Sequence, residues 1–103
     1  MGSWLRVQWP LLTLLVSAAL SACAGAPVQE MSNARQAIKA ARDAGAEQVA
    51  PDTLREAQVL LESAEANLRR GAYKHARRDA VAARGKASEA LDAARASGQD
   101  HVR

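Results

Sequence analysis

Seven positions in the second half of the chain, Tyr73, Ala76, Ala80, Ala83, Ala87, Ala90 and Ala94, recur at spacings of 3, 4, 3, 4, 3 and 4. That period puts all seven on one side of an α-helix and excludes the two-residue alternation of a strand. Six of the seven are alanine, and small side chains let helix axes approach toward the lower end of the usual distance of about 8–10 Å. A chain with such a seam is committed to close helix packing instead of a bulky core. Two further seams share the phase. Met31, Ala34, Ile38 and Ala41 are spaced 3, 4 and 3, and Leu54, Ala57, Leu61, Ala64 and Leu68 are spaced 3, 4, 3 and 4.

The breaks between seams fall where helix chemistry puts them. Gly45 suits the left-handed residue after a helix end, and Pro51 suits a first turn, where its missing N–H has no partner to lose. Asp52 favours the positive end of the helix dipole, and Gly71 stops the second run. Ser97-Gly98 is expected to end the third, while Gly85 sits within it, off the seam. The spacing therefore predicts helices over about 30–44, 51–70 and 72–97. The expected fold is all-α, a short antiparallel three-helix bundle or helical hairpin over residues 30–98 with a polar tail at 99–103. An extended dimeric coiled coil is the alternative, but Gly45, Pro51 and Gly71 interrupt it at the lengths of an antiparallel hairpin. Lys39/Asp43, Glu65/Arg69 and Asp92/Arg95 are spaced to pair along their helices. Val59 and Val81 fall outside the seams and are the expected places for self-association or a partner.

Composition separates two unlike parts of the 103 residues. From position 23 onward there are 22 Ala and only 13 larger apolar side chains, whereas both Trp (Trp4, Trp9) and the densest Leu run lie before it. The single Cys excludes an internal disulfide and a thiolate zinc cluster. Residues 1–22 have a weakly basic start, an apolar run at 11–20 (LLTLLVSAAL) and small residues after it, the order of a secretory signal. Ten apolar residues make a helix of about 15 Å, half of a hydrocarbon core of about 30 Å, so a cleaved leader is expected and a permanent span is not.

At the end of that leader Leu20-Ser21-Ala22-Cys23 resembles the bacterial lipobox. The resemblance implies that Leu20, Ser21 and Ala22 are read by signal peptidase II and that Cys23 receives a diacylglyceryl group and then an amide-linked acyl chain. Cys23 is then an anchor, and its covalent lipid is the one prosthetic group expected. One acyl chain binds a bilayer marginally and several bind it stably. Ala24 stands where an Asp tends to signal inner-membrane retention, so the resemblance implies the periplasmic face of the outer membrane. Residues 23–29 read as the lipidated Cys and a tether.

The mature part resembles a family. Ala34-Arg35-Gln36-Ala37-Ile38, Ala44-Gly45-Ala46, Ala50-Pro51-Asp52-Thr53-Leu54 and Gly71-Ala72-Tyr73-Lys74-His75-Ala76-Arg77 are similar, in that order, to A-x-x-A-I, G-A, A-P-x-x-L and G-x-Y-x-x-A-R of the bacterial lipoprotein domain of unknown function family 4398. The resemblance covers roughly residues 28–98. It implies a periplasm-facing lipoprotein and brings no catalytic residue. Some relatives are joined to an OmpA-like peptidoglycan-binding domain, which has no counterpart in these residues, so peptidoglycan binding is not carried over. The G-x-Y-x-x-A joint is also similar to the middle of a tetratricopeptide repeat, although one hairpin falls short of the three or so repeats such arrays need.

Little else points to chemistry. His75 and His101 have no ligand-spaced neighbours, Glu62 and Glu65 lie on a charged helix face, and no phosphate loop, nucleophile elbow or HExxH is present. Neither an enzyme nor a metal site is expected. The net charge of +3 invites a nucleic-acid reading, but export removes that partner and Tyr73 alone remains for stacking. One cluster stands out: Arg69, Arg70, Lys74, His75, Arg77 and Arg78 surround the turn at Gly71. If the helices run up, down and up from Cys23, this turn returns to the bilayer, where each basic residue near an anionic surface contributes about 1 kcal/mol. Arg69, Arg70, Lys74, Arg77 and Arg78 are therefore candidate contacts to phospholipid headgroups. The expected function is that of an anchored, non-catalytic structural or interaction domain. The alternative is an adaptor presenting a repeat-like hairpin to an envelope protein.

Overall fold

The computed structural model describes residues 25–102, with side chains described through residue 99. Four helices follow one another: α1 (Val28–Asp43), α2 (Ala46–Val49), α3 (Pro51–Arg69) and α4 (Tyr73–Val102). No strand occurs among the described residues. With 16, 19 and 30 residues, α1, α3 and α4 are about 24, 29 and 45 Å long at roughly 1.5 Å per residue.

The seams become the interior. Met31, Ala34, Ile38 and Ala41 of α1 are buried, as are Leu54, Ala57 and Ala64 of α3 and every alanine of the α4 seam. Leu61 and Leu68 are half-buried and pack on the two ends of this core. Eleven of the fourteen buried hydrophobic residues are alanine, so cohesion comes from many close contacts with few large side chains. The longest helix is the axis of the bundle: α1 and α3 lie mainly against α4 and less against each other.

The core clusters give the helix directions. At one end Met31 meets Ala64 and Ala80, with Leu68 against them. Toward the other end Ile38 and Ala41 share a cluster with Leu54, Ala57, Ala87, Ala90 and Ala94. Thus α1 is parallel to α4 and antiparallel to α3, and the antiparallel three-helix bundle expected from the sequence is present. A fourth helix, α2, occupies the first turn and buries Ala46 in the larger cluster. Four residues are too few to show a period.

Both tight turns depend on a glycine. Gly45 and Gly71 have φ of +91° and +76°, in the left-handed region where a Cβ is unfavourable. At Gly71 the closure is a complete Schellman motif: the Gly71 N–H donates to the Leu68 carbonyl at 3.0 Å and the Ala72 N–H to the Asn67 carbonyl at 2.9 Å.

Several expectations change. Tyr73, placed in the seam by its spacing, is 43% exposed, because α3 ends at Arg69 and offers nothing for it to pack on. Ser97-Gly98 does not end α4, which continues to Val102. Gly98 lacks the positive φ that turns a chain out of a helix. The first helix starts at Val28, two residues before the expected 30, and Pro27 is buried, its carbonyl accepting the Met31 N–H at 3.1 Å. Of the three expected charge pairs, Lys39 Nζ meets Asp43 Oδ2 at 2.8 Å. Glu65 turns instead to Arg35 of α1 at 3.4 Å, and no ion pair joins Asp92 to Arg95.

Candidate functional site

Residues 69–78 carry five cations, Arg69, Arg70, Lys74, Arg77 and Arg78, and no acid, more positive charge than the whole chain's net +3. The structure gathers them at one end of the bundle. Arg69 and Arg70 close α3, where basic side chains complement the negative end of the helix dipole, and Arg70 Nε reaches the Ala66 carbonyl at 3.5 Å. Lys74 and His75 lie in the first turn of α4, which holds no acidic residue, so they stand against the positive end of that dipole. Arg69, Arg70, Lys74, His75 and Arg78 are exposed.

Arg77 is oriented differently from the other four. Its Nε lies 3.3 Å from Glu30 Oε1 and its Nη2 donates to the Gly25 carbonyl at 3.4 Å. Both contacts cross to the entry of α1, so the start of the described chain is laid against the first turns of α4. The nearest acid, Asp79, is directed inward: its Oδ2 accepts from Ser63 Oγ at 2.6 Å and from Asn67 Nδ2 at 2.9 Å. It braces α3 against α4 below the turn and leaves the exposed cations uncompensated by an acid of their own segment. Among the described residues Arg69, Arg70, Lys74 and Arg78 form no ion pair.

Elsewhere several charges are paired. Arg42 pairs with Glu47 at 3.6 Å across the first turn. Lys86 spans α4 and α3, at 3.2 Å from Glu89 and 3.3 Å from Glu56. Its hydrogen bonds to Glu89 and Glu56, with their charges, raise the ammonium pKa above its ordinary value, as the bond to Asp43 does for Lys39. A raised lysine pKa adds stability below the unfolded value that fades as pH climbs through the folded one. The lysine side of both pairs is therefore in place at neutral pH and fades in alkali.

The rest of the described surface includes an apolar feature on α3. An open groove on α3 is lined by Asp52, Arg55, Glu56, Val59 and Leu60, and Val59 and Val81 are each 56% exposed, as their positions outside the seams predict. Among the described residues no helix is long and apolar enough to cross a membrane and no cluster of His, Cys, Asp or Glu is arranged for a metal.

The basic turn is thus brought together as the sequence places it, with Arg77 set apart by its bonds. Leu20, Ser21, Ala22 and Cys23, the leader over 1–22 and the side chain of His101 lie outside the described residues. Asp79 is legible in the sequence as the acid nearest the turn, but its bonds to Ser63 and Asn67 are not, and Glu30 carries no local signal because 46 residues of chain separate it from Arg77.

Comparison with known proteins gives one result. The family model described as a domain of unknown function, DUF4398, matches residues 29–101, from the start of α1 to the end of α4. No curated protein and no solved structure matches the chain.

Proposed function

The chain belongs to the DUF4398 family of domains of unknown function, and on that premise we propose that it is a lipid-anchored, non-catalytic interaction domain on the periplasmic face of the bacterial outer membrane. The observation that carries this reading is Leu20-Ser21-Ala22-Cys23 behind an apolar run of ten residues and directly before the helical domain. Several acyl chains on Cys23 hold a protein on a bilayer where one does not. Ala24, in place of Asp, directs it to the outer membrane. The non-catalytic part of the reading is supported by an interior made of alanine and a few larger apolar side chains, with the charges spread over the surface. Such a domain acts through what its faces bind or how far they stand from the membrane.

The experiment is metabolic labelling with a clickable palmitate. The protein is expected to take up the label and Cys23→Ser to lose it entirely. A label that persists in Cys23→Ser overturns the anchor.

A second reading, an adaptor for an envelope protein, is favoured by the exposed Val59 and Val81 and the groove beside Val59 and Leu60. Crosslinking in cells separates the two: a defined heteromeric band supports the adaptor, and self-crosslinks or lipid association alone support the anchored spacer.

A further inference from the structure

We propose that the end of the bundle formed by the Gly71 turn is a docking surface for anionic phospholipid headgroups, which holds the anchored domain upright on the membrane. The proposal rests on the anchored reading above and names the ligand of the basic site. Its first support is where the chain enters the fold. Gly25 is bonded to Arg77, and two peptide units join Gly25 to Cys23, a span of at most about 7 Å. Pro27 is buried and α1 begins at Val28, so little chain remains to let the domain drift from its anchor. Arg77 and the chain entry are therefore held close to whatever surface the lipid on Cys23 enters, and the basic turn lies at that same end of the bundle.

The second support is the charge that meets that surface. Arg69, Arg70, Lys74 and Arg78 are exposed and without an ion pair among the described residues, and Asp79 is occupied by Ser63 and Asn67. Because α1 and α4 are parallel, the positive ends of two helix dipoles lie at this end, against the one negative end of α3 that Arg69 and Arg70 offset. Lys74 beside the α4 terminus repels its own helix, a repulsion that phosphate groups relieve. The opposite turn carries the Arg42–Glu47 pair together with Lys39–Asp43, so the field of the bundle is polarised toward the entry of the chain.

Tyr73 is the third. It is 43% exposed at the start of α4, and an aromatic ring with a polar tip is suited to the depth of the headgroups. Lipid explains together the cations, the exposed ring and the position beside the anchor, whereas an acidic protein partner explains only the charge.

Tyr73 is also the reporter. It is the one aromatic residue after position 22, so leader cleavage removes both Trp and leaves its emission alone. The full chain is expressed with its leader, purified from membranes and reconstituted in vesicles of phosphatidylcholine, or of equal parts phosphatidylcholine and phosphatidylglycerol. Retained Trp emission or absence of palmitate overturns the anchor and the docking together. With cleavage and palmitate in place, acrylamide quenching of Tyr73 is expected to fall in the anionic vesicles, where the docked ring sits among headgroups out of reach of the aqueous quencher. High salt should abolish the difference. So should replacing the exposed Arg69, Arg70, Lys74 and Arg78 by Gln, with circular dichroism checking that the helices are kept. Equal quenching in both vesicles, or protection that survives salt or the four substitutions, overturns the docking while leaving the anchor standing.

Discussion

Gly71 and Gly85 are the same residue in opposite roles. Gly71 holds φ at +76° with open space where a Cβ would point, so Gly71→Ala suffers backbone strain alone, about 1–2 kcal/mol. Gly85 is helical and exposed, also with nothing near a Cβ, and Gly85→Ala is expected to raise stability by roughly 1 kcal/mol. Urea unfolding followed by circular dichroism checks both, and a shift of the same sign for the two variants contradicts these roles. Both glycines are legible in the sequence, one as a stop between seams and one as an off-seam residue within a continuous seam. Charge partners are less so. Lys39 and Asp43 pair as their spacing suggests, but Glu65 has two cations in reach, and only the placement of α1 beside α3 makes Arg35 its partner.

The longest helix is the element on which the bundle depends. Along α4 the buried alanines recur every three or four residues from Ala76 to Ala94, and two helices press on that narrow strip. Ala87→Leu forces side chain into a site with no room and is expected to cost about 1–3 kcal/mol. Ala82→Leu, on the exposed side of the same helix, is expected to change stability by less than about 0.5 kcal/mol. Thermal melts of the two variants test whether close approach of the helices is what the seam specifies. The seam was legible because helical period and residue size are both local properties. Its two ends were not: Tyr73 keeps the phase but lies beyond the last residue of α3, and Ser97-Gly98 resembles a stop yet stays helical. A period states which side of a helix faces inward and is silent on how far the neighbours extend.

Three helices are joined into one molecule by few large side chains. Met31, 2% exposed, is where α1, α3 and α4 meet at the basic end, and Met31→Ala is expected to cost about 2–5 kcal/mol. Hydrogen exchange should show the loss first in the amides of the first turns of α1 and α4. Protection that falls uniformly along the three helices would contradict a local role for Met31. The basic turn at that end was visible as a run of charge, and the family was visible in four short motifs of the alanine-rich background, which the match over residues 29–101 agrees with. By itself the sequence determined the helical class, the two glycine stops, the alanine seams and the charge of the turn, since each depends on residues within a turn or two of one another. Only the tertiary structure decided that Arg77 ties the chain entry at Gly25 and Glu30 to that turn, that Asp79 faces inward, and that Arg69, Arg70, Lys74 and Arg78 are left exposed beside the start of α1. Those outcomes depend on helix direction and relative length, which bring together residues that no local spacing relates.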